Sequence, residues 1–408
     1  MTWKKQPFTT IKKRVFDALN SNMNYNEQTI LGLPATYLDQ EQFYFNAPFL
    51  KDAPFLSTLI YNPNHIGCHT LSQGESYFSG THKIEIEVLK LVAEDIFKAK
   101  KNEYDGYVAP GGTEANIQAV WVYRNYFIKE KQANHNEIGF LFSKDSHYST
   151  YKASNLLNVT AIPIEVDQYT REWDLDNLKQ KLSEAKSSGI KYLIVQLNMA
   201  TTMFGSVDVP IPILTEVKNR YKDYFVHIDA AFGGFIYPFT KPKCKLNFAN
   251  PEISSITIDG HKMLQAPYGT GIFLCRKGLI NYAQTEEASY VQGTDFTLCG
   301  SRSGANAVSM WMILMTHGYE GWKYNMEKLI DRTDRICNVL DDLKIRYFRN
   351  PFMNIVTINA DDISENIALK YHLVADNFKT PKWWKIVVMV HVEKYIIDQF
   401  LLDLQKSR

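Results

Sequence analysis

Cysteine is scarce in this 408-residue chain: Cys68, Cys244, Cys275, Cys299 and Cys337 are scattered, and no two have CxxC spacing. An odd, dispersed set argues against a disulfide framework and for a reducing compartment. Net charge is nearly absent as well. The 45 Lys and Arg against 44 Asp and Glu leave +1, which gives no electrostatic reason to expect a nucleic acid or an anionic membrane as partner. No stretch reaches the length of an uncharged transmembrane span, and MTWKKQPFTTIKKRVFDALN at the N-terminus lacks the continuous apolar segment of a signal peptide. Internal repeats and low-complexity tracts are missing too. These absences leave a cytoplasmic globular protein, with no metal, nucleic acid or membrane expected.

Apolar residues at 45% and charged residues at 22% suffice for a large core, in two domains or one with an appendage. Residues Ile11 to Asn20 carry Ile11, Val15, Phe16 and Leu19 on one helical face. That face needs cover from the main body or from a second subunit. Residues 31–81, rich in Pro, Asn, Gly and aromatics, read as an extended arm. A strong amphipathic helix follows from His82 to Ala99. From Tyr107 to Cys275 strand-like and helix-like stretches alternate, which predicts an α/β fold with a doubly wound, mostly parallel sheet. After Ser301, helices with a few strands suggest a smaller α+β domain. The expected division is 1–81, 82–300 and 301–408.

Chemistry concentrates at predicted strand ends, where ligands bind in open α/β sheets. The strand in VHIDAAFGG ends at Asp229, and the strand in SSITIDGHKM delivers His261 and Lys262. A lysine can hold an aldehyde cofactor as a Schiff base, and pyridoxal phosphate also needs a carboxylate against its ring nitrogen. A surface Asp and Lys at strand ends are the plain alternative. Gly111-Gly112-Thr113 precedes a helix, so free amides there form an anion site for a phosphate, or an ordinary turn with a capping threonine. His147, in SHYS after the strand IGFLFS, is placed to stack on a planar heterocycle. NMATT, ending at Thr202, brings a hydroxyl to the same edge.

Together GYVAPGGTEANI, FSKDSHYSTYKASNLL, LNMATTMFGSVD, HIDAAFGGFIYPF, SITIDGHKM and TLCGSRSGA resemble the group II PLP-dependent amino acid decarboxylases. That group belongs to fold type I, the aspartate aminotransferase-like class, and the chain is most similar to its histidine and serine decarboxylase branch. The resemblance covers roughly residues 60 to 405. It implies Lys262 as the cofactor lysine, Asp229 as partner of the ring nitrogen and His147 stacked on the ring. It places Gly112, Thr113 and His261 near the phosphate, Thr202 near the ring's oxygen substituent and Ala231 beneath the ring. Ser301 and Arg302 match a loop that approaches the cofactor across a dimer interface, and Tyr290 matches a tyrosine of the branch, a candidate proton donor beside His147. The implied activity is α-decarboxylation of an L-amino acid, histidine or serine type, by a homodimer with shared active sites. Departures at Met199-Ala200 and at Gly67-Cys68-His69 fall where the substrate should lie; where many relatives carry an arginine for the substrate carboxylate, the nearest equivalent is Lys385, which is not assigned that role. The rivals are another fold type I lyase, a decarboxylating aldehyde synthase, or a silent binding protein.

Overall fold

The computed structural model describes residues 2–22, 46–61, 65–67, 71, 74–241, 243–284 and 294–407. Its centre is a seven-stranded sheet: β1 (Tyr104–Ala109), β2 (Ile138–Ser143), β3 (Thr160–Ile164), β4 (Tyr192–Asn198), β5 (Tyr224–Asp229), β6 (Ile253–Asp259) and β7 (Gly271–Arg276). The spatial order is β1-β7-β6-β5-β4-β2-β3. Strands β3, β2, β4, β5 and β6 pair in parallel, whereas β7 runs antiparallel to both neighbours. Being flanked by β7, β1 points the same way as the parallel set.

Alternating side chains feed two apolar layers, as a strand's period of two requires. Phe140, Phe142 and Ile194 enter the layer beneath helix α1 (Gly112–Lys131), with Tyr123 and Phe127 from that helix. Leu141, Leu193 and Val195 enter the opposite layer, where the helices Ser79–Lys90, Leu175–Ser187 and Pro210–Lys218 contribute. Both faces are covered, which is why the strands read as near-continuous apolar runs.

The N-terminal helix spans Phe8–Ser21, and its Ile11, Val15, Ala18 and Leu19 are buried against this second layer. The body of the same chain supplies the cover that the apolar stripe needed. Part of the expected arm (residues 31–45, 62–64, 68–70 and 72–73) lies outside the described residues; within it, Pro54–Ile60 is helical. The long helix Gly304–Asp342 is interrupted at Gly318, whose φ of 65° breaks the helical ladder. Its first part packs into the main core. Its second part, through Ile336 and Leu340, packs on a small antiparallel sheet of Tyr347–Phe348, Ile355–Asn359, Trp383–Val387 and Val374–Ala375. This sheet touches the main body where Thr357 Oγ1 donates to the Met203 carbonyl at 3.2 Å. Among the described residues, no helix is long and apolar enough to cross a membrane.

Candidate active site

Five strand ends meet at one edge of the sheet: those of β1, β2, β4, β5 and β6. They enclose a cavity of about 420 Å³, within the usual range for a small-molecule site. Gly112, Thr113, His147, Thr202, Asp229, Ala231, His261 and Lys262 all line it.

Lys262 lies just past the end of β6, one turn beyond Asp259. Its ammonium sits 3.0 Å from Asp259 Oδ2. Burial pushes the Asp259 carboxyl upward, and Lys262 followed by His261 draws it back. Asp229 ends β5 and is 7% exposed. It accepts from Asn116 Nδ2 at 2.8 Å and from the Ala231 amide at 3.1 Å. His147 Nδ1 lies 3.0 Å from Ser149 Oγ, and burial holds its imidazole below the ordinary range despite the Asp229 charge. His261 Nδ1 donates to the Thr270 carbonyl at 2.8 Å, so its Nε2 can donate to an anion only as the imidazolium.

Helix α1 starts at Gly112, and among the described residues no side chain caps it. Its first amides therefore remain available to an anion. A Cβ on Gly112 would lie 2.9 Å from Asp259 Oδ2 and 3.2 Å from the Ala231 methyl, so glycine keeps this end of the cavity open. Pyridoxal phosphate fits these groups: open amides for its phosphate, a buried carboxylate for its ring nitrogen, a small residue at Ala231 and a primary amine at Lys262.

Two expected site residues lie elsewhere. Arg302 is buried inside its own chain, ion-paired with Glu85, donating to the Val108 carbonyl at 3.2 Å and stacked over Tyr107. A guanidinium so committed is held within its own subunit. Ser301 is exposed beside it and does not line the cavity. Tyr290 lies outside the described residues.

Sequence reasoning passed over Asp259, Asn116 and Glu114. Asp259 stood three residues before Lys262, a spacing that brings the two side chains together. The Glu114 carboxyl, bonded by the Tyr107 hydroxyl at 2.8 Å, is pushed up to about 7 by burial. Lys385 reaches the site's edge from the small sheet and donates to the Thr202 carbonyl at 3.1 Å. Burial, then the Lys262 charge, holds its ammonium below the ordinary value.

Fold and site define a pyridoxal phosphate-dependent enzyme of fold type I. The model of the pyridoxal-dependent decarboxylase conserved domain matches residues 63–345, and the chain belongs to that family. It is 48% identical to a tryptophan decarboxylase of Clostridium sporogenes over 406 residues, covering 99% of this chain and 97% of the relative. It is 30% identical to serine decarboxylase 3 of Oryza sativa over 336 residues, covering 82% and 71%. Among solved structures, L-methionine decarboxylase from Streptomyces sp. 590 superposes with a TM-score of 0.69 at 19% identity, covering 85% of this chain and 87% of that one. The chain is thus a pyridoxal phosphate-dependent amino acid decarboxylase.

Proposed function

We propose that the substrate is an aromatic L-amino acid, tryptophan foremost, converted to its amine and carbon dioxide. The observation that carries this is the 48% identity to the Clostridium sporogenes tryptophan decarboxylase over nearly the whole chain. The cavity supports it chemically, because Ile117, Tyr148, Phe232, Tyr268 and Leu298 give it apolar and aromatic walls on which an indole can pack. A serine substrate has the rice relative on its side, at 30% identity over a smaller share of the chain.

Pyridoxal phosphate, when bound, supplies a sink for the electron pair left at Cα as carbon dioxide departs. Lys262 is the covalent anchor, and Asp259 holds its amine at the strand end. Asp229 keeps the ring nitrogen protonated, since an opposite charge at close range favours the charged form. Gly112, Thr113 and His261 take the phosphate, Thr202 the ring's oxygen substituent, and Ala231 leaves room beneath the ring. His147 covers the ring and, with Tyr290, is a candidate to return a proton to Cα. Lys385 is the cation placed to draw in the substrate carboxylate. The working form is a cytoplasmic two-fold dimer.

Carbon dioxide release from a panel of L-amino acids tests the reading. Tryptophan should give a higher kcat/KM than histidine or serine. An aldehyde product with peroxide would transfer the chain to the aldehyde synthases. Bound cofactor without carbon dioxide release from any amino acid would overturn the proposal.

A further inference from the structure

Behind Asp229 a chain of buried polar side chains runs between the sheet and helix α1. The Tyr123 hydroxyl bonds Ser255 Oγ, which lies 2.7 Å from His227 Nδ1. His227 Nε2 lies 2.9 Å from Asn116 Oδ1, and Asn116 Nδ2 donates to Asp229 Oδ2 at 2.8 Å. The same Nδ2 donates to Ser149 Oγ at 3.1 Å, and that hydroxyl is 3.0 Å from His147 Nδ1. Asn116 is 2% exposed; Ser149, His227, Ser255 and Tyr123 are wholly buried.

Chemistry sets the direction of each bond. A carboxylate only accepts, so Asn116 must turn its NH2 towards Asp229 and its carbonyl towards His227. The imidazole then carries its hydrogen on Nε2, and its Nδ1 accepts from Ser255, whose oxygen accepts from Tyr123. On the other branch Ser149 accepts from Asn116 and passes its own hydrogen to His147 Nδ1. The Ser149 amide reaches that nitrogen at 3.3 Å as well, so His147 bears its hydrogen on Nε2. Each donor points onward towards the cavity, and such a chain polarises its members in one sense. Burial keeps His227 neutral, its pKa down at about 4 despite the Asp229 charge.

We infer that Asn116 and His227 are positioning residues of the reaction: Asn116 orients Asp229 and His147 together, and His227 locks the amide of Asn116. The inference rests on the proposed placing of Asp229 and His147 against the cofactor.

The test uses the loaded enzyme and reads pyridoxal phosphate affinity, the visible absorbance of the bound cofactor and thermal stability. Asn116→Leu and His227→Leu should weaken affinity at least about 10-fold and shift the absorbance, as expected for lost bonds to a charged group. His227→Gln can still donate to Asn116 Oδ1 and should restore both to within about 3-fold. If a leucine variant fails to fold, Asn116→Ser carries the same expectation. Variants that lose thermal stability but keep parental affinity and absorbance would overturn the inference, and so would equal losses in His227→Leu and His227→Gln. Asp229→Asn separates the levels. An unchanged affinity and spectrum there would overturn the site assignment itself, whereas a changed Asp229→Asn beside unchanged Asn116 variants overturns only the relay.

Discussion

Lys262 is proposed as a residue of chemistry rather than of packing. Its side chain is 32% exposed, and its ion pair is with the carboxylate beside it. Lys262→Ala should therefore lower turnover at least about a thousandfold while circular dichroism stays as in the parent; near-parental decarboxylation would show the anchor to be elsewhere. His227, besides the positioning role inferred for it, has a titration that bears on stability. Its folded pKa of about 4 lies below the ordinary 6.5. As pH falls, the unfolded chain takes up the proton before the folded one does. The contribution is thus complete above about pH 6.5 and is lost progressively towards pH 4, on the order of 3 kcal/mol in all. His227→Gln should flatten the decline of the thermal midpoint across that window, and parallel curves would refute the burial account. Asp229 and Lys262 stood out in the sequence because each follows on an apolar strand, Asp229 closing β5 and Lys262 lying three residues beyond the end of β6. Asn116 and His227 did not, because a bond between residues 111 positions apart leaves no spacing in the chain. The same holds for Arg302, whose partner Glu85 lies 217 positions away.

Strand and helix ends explain why the site could be assembled from motifs at all. Alternating apolar stretches announced the β-helix-β units, and Asp229, His261 and Lys262 lie at or just past carboxyl ends of the parallel set. The direction of β7 went unread, since an apolar strand looks alike in either sense. The signal was nevertheless present: eleven residues (260–270) separate β6 from β7, too few for the helical crossover that a parallel pair requires. Strand β7 begins at Gly271, wedged under the turn that opens helix α1. A Cβ there would lie 2.8–3.0 Å from the backbone of Gly111. Gly271→Ala should displace that turn, cost about 1–3 kcal/mol in unfolding free energy and weaken cofactor binding. Parental binding in equilibrium titration would show that the turn does not hold the phosphate.

At the scale of the whole molecule, the helix Gly304–Asp342 serves both the main core and the small sheet. A dimer remains the proposed assembly, and sedimentation at assay concentration should show twice the 47.1 kDa chain. Arg302→Ala is unsuited to a complementation test, since it would strand the buried Glu85 carboxylate within its own subunit. Mixing inactive Lys262→Ala and Tyr290→Phe chains is the better choice. Shared sites predict partial recovery of activity after subunit exchange, and a fully active monomer would rule them out.

The place of β1 at the sheet's edge bears on biosynthesis. Its hydrogen-bonded neighbour is β7, so residues 104–109 pair with a segment some 167 positions downstream. On the ribosome the turn proposed to bind the phosphate must wait until residue 276 has cleared the exit tunnel. Nascent chains stalled earlier would expose an unpaired, apolar strand edge, a species open to aggregation and to chaperones. At the proposed site, the cofactor is captured late in synthesis.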